Sequence, residues 1–266
     1  MTSCRAKWLQ ASLAVALVLS VPSLSRGQTA GTLDLGSFLD KAAQKIKSYP
    51  DNVDWTANVI AKTTKMDRNW TPESMIVVSK AVKVLGGERE EVILKAEETK
   101  KGKTKDLTQK YAEDAQEARD KAKKRHAEER GGRGGAGRGG ASISLDSVLP
   151  FSSEKRGQFD FLLTENALVD GRPAFLLEVK AKVKDEKNWE GRFYFDPATI
   201  DLLGIEVKPS ENPSMVKDLE FRMTFEILDG RYLAVKSTWI KVNGGFFLKH
   251  VRQIVEETYS GFEVLK

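Results

Sequence analysis

The side chains that most often carry chemistry are sparse in this chain and do not form catalytic motifs. Histidine occurs twice, as His126 in a charged run and as His250 near the C-terminus. The chain has no Gly-x-Ser-x-Gly and no His-Glu-x-x-His pattern, which would indicate a serine nucleophile or a zinc site. Its single cysteine, Cys4, lies in a segment that we expect to be removed. The sequence therefore predicts no enzyme, cofactor or metal site, although carboxylates that meet only in space stay possible.

The segment GGRGGAGRGG, residues 131–140, invites three functional interpretations. Gly132, Gly134 and Gly137 match Gly-x-Gly-x-x-Gly, but no strand precedes them and no helical pattern follows, which argues against a dinucleotide site. An Arg-Gly-Gly segment also suits single-stranded nucleic acid or anionic lipid head groups. Export of the chain argues against nucleic acid. Seven glycines in ten residues favour a flexible linker.

The first 27 residues have the pattern of a secretory signal. Arg5 and Lys7 precede an apolar run over residues 9–21, and Ser25 and Gly27 suit cleavage before Gln28. The run is shorter than the roughly 20 apolar residues that a spanning helix needs. A retained anchor is the alternative, but the pattern predicts a soluble periplasmic product.

Charge is concentrated in one insert. Without residues 1–27 the chain keeps 40 basic side chains against 38 acidic ones. Residues 100–140 hold 13 Lys or Arg against 7 Asp or Glu, so the remainder is mildly acidic. Residues 100–130 contain good helix formers with charges at helical spacing, which predicts a solvated helix before the glycine segment.

Hydrophobic periodicity predicts one helix followed by many strands. Residues 35–46 carry apolar side chains at three-and-four spacing, the pattern of an amphipathic helix. From Val53 onwards the period is two, and Gly86-Gly87 separates two strand-like runs, residues 75–85 and 89–99. Five further turn signals follow: Asp170-Gly171, Asp196-Pro197, residues 211–213, Asp229-Gly230 and Asn243-Gly244.

About ten antiparallel strands in one sheet are too many to stay flat. We therefore expect an α+β fold: a large curled antiparallel sheet, a half-open barrel of about 10–11 strands, covered by the N-terminal helix and carrying the charged helical insert. The little helical material available for covering predicts an apolar hollow.

The C-terminal third resembles a known family. The stretch WEGRFYFDPAT, residues 189–199, followed by IEVK, residues 205–208, is similar to a hairpin of the outer-membrane lipoprotein-sorting proteins, the LolA-like and LolB-like carriers and receptors. The strands at residues 219–227 and 232–240 and the ending at Tyr259–Phe262 add to the resemblance. It covers residues 35–266 loosely and 157–264 best, within a single domain that we expect over residues 28–266. The charged insert at 100–140 departs from the pattern.

The resemblance implies a periplasmic carrier that binds acyl chains of lipoproteins or other lipids in an apolar cavity. It also implies an inner-membrane exporter and an outer-membrane acceptor as partners, with peripheral membrane contact. Alternatives are an envelope sensor or scaffold that binds a protein partner, and an envelope lipid or glycan hydrolase. Alternating aromatic residues are the candidate lining of the cavity, although each also suits an ordinary core: Trp55, Phe161, Phe193, Phe195, Phe221, Phe225 and Trp239.

Overall fold

A computed structural model describes residues 34–50, 53–129, 149–151, 154–246 and 249–265. The proposed signal (1–27) and the glycine-rich segment (131–140) lie outside these residues. The described part contains two α-helices and eleven β-strands. In chain order they are α1 (Leu35–Lys47), β1 (Trp55–Met66), β2 (Pro72–Leu85), β3 (Glu88–Lys100), β4 (Lys103–Asp106), α2 (Thr108–Glu129), β5 (Phe159–Val169), β6 (Arg172–Ala181), β7 (Trp189–Phe195), β8 (Leu202–Pro209), β9 (Val216–Leu228), β10 (Tyr232–Phe246) and β11 (Lys249–Val264).

All eleven strands belong to one antiparallel sheet in the order β4-β3-β2-β1-β11-β10-β9-β8-β7-β6-β5. Neighbouring strands in the sheet are consecutive in the chain, with one exception. The exception is the pair β1 and β11, the first and last strands, which are joined by ten residue pairs. β4 and β5 are the two edges, so the sheet does not close. The expected large curled sheet with an N-terminal helix is confirmed.

Strand register divides the side chains into two faces, because successive residues point to opposite sides. Phe161, Val179, Gly191, Val207 and Phe221 face one another in one row, and the row continues through Ile240, Val255, Thr63 and Ile76. We call this side of the sheet the apolar face.

The opposite side, the polar face, carries a matching row of charges. Arg192 lies 3.4 Å from Glu178 and 3.8 Å from Glu206, and Lys62 lies 2.7 Å from Glu256. One cross-strand row on this face runs from β5 to β1, and its six charged members alternate in sign. The row is Leu162, Glu178, Arg192, Glu206, Arg222, Trp239, Glu256 and Lys62. Opposite charges directly across strands stabilise a solvated face and specify register.

Helix α1 forms where the sequence predicts it. The Asp34 carboxylate accepts the Ser37 N–H at 2.9 Å and caps the N-terminus, while Lys45 and Lys47 suit the negative end of the helix dipole. The buried stripe is Phe38, Leu39 and Ala42. Its apolar side therefore packs on the sheet.

The core lies between α1, the apolar face of β6–β8 and the segment Leu149–Phe151. The Phe38 ring meets Phe195 edge-on, with 5.2 Å between centroids, and Phe151 meets Phe193 at 5.1 Å. Phe38, Phe193 and Phe195 are 0% exposed. This part of the apolar face is filled by the chain's own residues.

The charged insert is not a helix from its start. Residues Lys103–Asp106 form β4 against β3, and only then does α2 begin, where the Asp106 carboxylate accepts the Thr108 N–H. The Thr108 hydroxyl also accepts the Ala96 N–H at 3.0 Å, which ties the start of α2 to β3. Lys101 and Gly102 both have positive φ and form the tight turn between β3 and β4. The many charged residues around this turn led the sequence analysis to expect a helix there.

The turn signals are confirmed with one exception. Gly86-Gly87, Asp170-Gly171 and Asp229-Gly230 all have positive φ at both central residues, as a type I′ hairpin requires. Asn243-Gly244 was expected to be a turn, and that is wrong, because both residues lie inside β10. Gly244 sits at a register shift, where a Cβ would lie 3.0 Å from the Met215 oxygen, so the glycine permits close strand approach.

Candidate functional site

The seven aromatic residues expected to line a cavity fall into three groups. Phe193, Phe195 and Phe225 are buried and already in contact with the chain's own core. Trp55, Phe161 and Phe221 are half-buried on the apolar face. Trp239 lies on the polar face, where its ring stacks 4.4 Å from the Arg222 guanidinium. The structure does not bring all seven together.

Beyond the region that α1 covers, the apolar face keeps a stripe of half-buried side chains. Phe221, Ile240 and Val255 are direct cross-strand neighbours on β9, β10 and β11, and Ile76 follows two strands further. Each is only half-buried. We call these four residues the apolar stripe; Leu219, Met223 and Val242 flank it on the same face.

A cluster of charges interrupts the apolar face next to this stripe. Lys80 is 9% exposed, and its Nζ lies 3.1 Å from both carboxylate oxygens of Glu91 and 3.3 Å from Oε1 of Glu257. Arg89 Nε donates to Glu91 at 2.7 Å, and the Tyr259 hydroxyl donates to Glu257 at 2.8 Å. We call these five residues the ion cluster.

Burial and the neighbouring cations oppose each other at the carboxylates of the cluster. Desolvation alone raises the pKa of Glu91, but the attraction of Lys80 and Arg89 outweighs it and the pKa is lowered. Burial, followed by the charge of Glu257, raises the pKa of Tyr259, which therefore stays protonated and donating.

Glu91 and Glu257 are the kind of carboxylate pair that a hydrolase uses. A general acid among them would need a raised pKa so that it held a proton near neutral pH. Glu91 is shifted in the opposite direction. Glu91 is therefore not poised as a general acid, and both carboxylates contact the Lys80 ammonium.

A groove of about 730 Å³ crosses strands β5 to β9 on the polar face. Each strand contributes three consecutive residues to the lining, for example Glu190–Arg192 on β7 and Glu206–Lys208 on β8. The first and third residue of each set point to the polar face. The charged walls neutralise one another through cross-strand pairs. Gly191 lies in the floor with φ of 151°, and a Cβ there would lie 2.0 Å from the Glu206 oxygen, so only glycine fits.

Other functional groups are scarce in the described part of the chain. No set of three or more His, Cys, Asp or Glu residues among the described residues is grouped to hold a metal ion. His250, which the sequence analysis singled out, is exposed on β11, and His126 lies in α2. Within the same residues, neither helix is long and apolar enough to cross a membrane.

The C-terminal end of α1 is attached to the loop between β7 and β8. The Tyr49 hydroxyl donates to Asp201 Oδ1 at 2.5 Å, and Lys45 Nζ lies 2.9 Å from the same oxygen. Burial raises the pKa of Asp201, but hydrogen bonds from Thr199, Tyr49 and Lys45 outweigh it, so the pKa is lowered overall. A second contact joins Arg156 to Asp40 at 2.7 Å.

We expect the substitution Asp201→Asn to reduce the free energy of unfolding by about 1 kcal/mol at pH 7, because charge-assisted hydrogen bonds to α1 are lost. A folded-state pKa below the ordinary 3.8 stabilises the protein above that pH, and this contribution disappears as pH falls through the folded value. Urea unfolding at pH 7 and near pH 3 should therefore show the difference shrinking in acid. Asp229→Asn, at an exposed turn position with positive φ, is the control and should change stability by less than about 0.5 kcal/mol. A difference that is equal at both pH values would contradict the ionic contact.

Similarity to known proteins is confined to structure. No protein-family model and no curated protein matches the chain. Solved structures that match include a LolA superfamily protein, NE2245 from Nitrosomonas europaea, at 12% identity and a TM-score of 0.35, covering 86% of this chain and 93% of that one. An outer membrane lipoprotein-sorting protein domain from Vibrio parahaemolyticus matches at 10% identity and a TM-score of 0.36, covering 85% and 91%.

A third match has a protein partner. The Pseudomonas aeruginosa MucA/MucB complex matches at 10% identity and a TM-score of 0.25, covering 85% of this chain and 93% of that one. Lipoprotein-sorting proteins, which the sequence resembles, are thus among the solved structures that match, at identities of 10–12%. Likenesses this distant say nothing about what this chain binds, which is argued below from its own residues.

The ion cluster is the feature that sequence reasoning missed. A signal was present, because Lys80 occupies an apolar-face position between Val78 and Val82, and Glu257 stands between Val255 and Tyr259 on β11. Each of these two charged residues stands at a position where the alternation of its strand predicts an apolar side chain. Only the pairing of β1 with β11 brings the two together.

Proposed function

We propose that this protein is a periplasmic carrier that binds the acyl chains of a lipid or lipoprotein on the apolar face of its sheet and moves them through the envelope. Binding is non-covalent and uses no cofactor. An inner-membrane donor and an outer-membrane acceptor are the proposed partners, with peripheral contact at the membrane surface.

The apolar stripe is the observation that carries this proposal. Its four side chains lie on β9, β10, β11 and β2, with Thr63 of β1 between Val255 and Ile76. Neighbouring strands lie about 4.8 Å apart, so the line is long enough for an extended acyl chain. Burial of each methylene contributes about 0.8 kcal/mol, so a chain of ten or more methylenes outweighs its own ordering cost.

Helix α1 restricts where the guest binds. Phe38 and Phe151 already fill the apolar face over β6–β8, so Phe193 and Phe195 support the fold and do not contact the guest. The stripe lies outside this region, on β9, β10, β11 and β2. An acyl chain therefore binds and leaves without disruption of the aromatic core, which suits a carrier that has to release its cargo.

Lipid that co-purifies with the protein is the first test. The mature chain, isolated from the periplasm of its own cells without detergent, should yield phospholipid or acylated protein on solvent extraction and mass spectrometry. We expect near-stoichiometric amounts in the wild type. Extracts free of acyl lipid, from a protein that also fails to take up added lipid, would contradict the proposal.

The polar-face groove favours a second function, the binding of a protein partner as an envelope sensor or scaffold. Its charged walls, including Lys180 and Lys208 beside Glu190, suit a polypeptide better than an acyl chain. In a pull-down from envelope extracts, a partner that is captured by the wild type and lost when Lys180 and Lys208 are both replaced with glutamine would support this function. Capture that persists in the variant would place the partner elsewhere.

A further inference from the structure

The two edges of the sheet differ in how they are protected against an added strand. β4 is four residues long, and its residues, which include Lys103 and Lys105, are all exposed; short length and lysine both discourage pairing. β5 has eleven residues without lysine, arginine or proline, and its charges are Asp160 and Glu165. In the part of the chain that the structure describes, no strand lies on the outer side of β5. This edge is therefore open to pairing and lacks the usual protection.

The hydrogen bonds of β5 show which of its backbone groups point away from the sheet. The Gln158 carbonyl accepts the Lys182 N–H at 2.9 Å, so it is directed at the β6 side. Backbone groups of successive residues point to alternate sides of a strand, and the register of β5 with β6 stays regular up to Thr164. The N–H and C=O groups of Phe161 and Leu163 therefore point away from β6. We call these two donors and two acceptors the outward groups.

The exposed side chain between these two residues is apolar. Leu162 is 60% exposed on the polar face, whereas the next members of its cross-strand row, Glu178, Arg192 and Glu206, are charged. A charged side chain at an edge position hinders the addition of a strand, and a leucine there does not. The edge thus offers an apolar contact together with the outward groups.

We infer that two copies of this chain pair through β5 in antiparallel orientation, with Leu162 of each copy opposite Leu162 of the other. In this register Phe161 lies opposite Leu163 of the second copy, and the outward groups of both copies form four hydrogen bonds. Asp160 lies opposite Thr164, so no like charges face each other. The pairing joins two eleven-stranded sheets edge to edge.

Self-complementarity favours a second copy of this chain over an unrelated strand. One segment supplies both sides of the contact, satisfies every outward group and places apolar residues opposite each other, as an isologous interface requires. The protected edge at β4 offers no second site for addition, so assembly stops at the dimer. The apolar stripe begins at β9, four strands from β5, and the inference therefore goes beyond acyl-chain binding and does not depend on it.

Cysteine cross-linking tests the register directly, because the chain from residue 28 onwards has no cysteine of its own. Directly opposed residues that share no hydrogen bond in an antiparallel pair have Cα atoms about 4.5 Å apart, within disulfide range. On oxidation with diamide, Leu162→Cys should give at least tenfold more disulfide-linked dimer than Thr164→Cys. Thr164 is the matched control, since it is exposed on the same face but would lie about 14 Å along the strands from its copy.

Sedimentation equilibrium of the chain without residues 1–27 measures the affinity. The wild type should show a reversible equilibrium between monomer and dimer at micromolar concentrations. Leu162→Lys places two like charges opposite each other and should raise the dissociation constant at least tenfold. Ile60→Lys, at a 53% exposed position on the central strand β1, is the control and should leave the constant within threefold of the wild type.

The outcomes separate this inference from other occupants of the edge. A wild type that stays monomeric throughout the micromolar range, equal cross-linking at positions 162 and 164, or a dimer that survives Leu162→Lys would each overturn it. Capture of a different protein at β5 by a chain that does not dimerise would overturn it as well and assign the edge to that protein. If circular dichroism shows Leu162→Lys to be unfolded, the comparison of Leu162→Cys with Thr164→Cys decides.

Discussion

A double substitution of Ile240 and Val255 with glutamine is expected to weaken acyl-chain binding about 100-fold. The two residues face each other across β10 and β11 at the centre of the apolar stripe. Each would otherwise bury two or more methylene-sized groups against the guest, at about 0.8 kcal/mol each, so the pair contributes roughly 3 kcal/mol. Titration with a fluorescent fatty acid measures the loss.

The matched control lies one residue away on the same two strands. Trp239 and Glu256 also face each other, but on the polar face. Their replacement with glutamine should leave the affinity within about threefold of the wild type. Equal losses in the two double variants would mean that the guest does not lie on the apolar face, or that general destabilisation explains both results.

The second large effect concerns stability. The substitution Lys80→Met should reduce the free energy of unfolding by about 3 to 5 kcal/mol at pH 7, because Glu91 and Glu257 lose the cation that they share. Lys83→Met, on the polar face three residues later, is the control and should cost less than about 1 kcal/mol. Chemical denaturation of both variants provides the comparison.

The pH dependence of the Lys80 effect has a definite sign. The pKa of Glu91 lies below its ordinary 4.5 in the folded protein, so its ionic stabilisation is present above that pH and is lost as pH falls through the folded value. The deficit of Lys80→Met should therefore be largest above about pH 5 and shrink in acid. A deficit independent of pH would indicate loss of packing by the lysine stem rather than loss of charge.

The strands were predictable because local chemistry and global fold agree in them. Alternation over residues 219–227 and glycine-containing turns at 86–87, 170–171 and 229–230 needed no tertiary information. The prediction of a turn at Asn243-Gly244 was wrong because Asn-Gly is also a common hairpin-turn sequence. Here the glycine lies inside β10 and permits close approach of the neighbouring strand. β4 was missed because its four residues are all polar, three of them charged, so no apolar alternation marks the strand.

The candidate site was less predictable than the fold. Phe193 and Phe195 were expected to line a cavity, yet Phe151 fills the space above them from a segment without periodic pattern. Trp239 was expected among the cavity-lining aromatics, but it lies on the polar face. The register of β10 against β9 shifts after Val235, and the sequence does not reveal this shift. The ion cluster depends on β1 pairing with β11 across about two hundred residues of chain.

Photo-cross-linking from adjacent residues of β10 tests the central claim most directly. A benzophenone amino acid placed at position 240 reports the apolar face, and the same residue at position 239 reports the polar face. With the protein expressed in its own envelope, acyl lipid should be covalently captured at 240 and not at 239. Capture at 239 alone, or at neither position in a protein that folds, would contradict acyl binding on the apolar face.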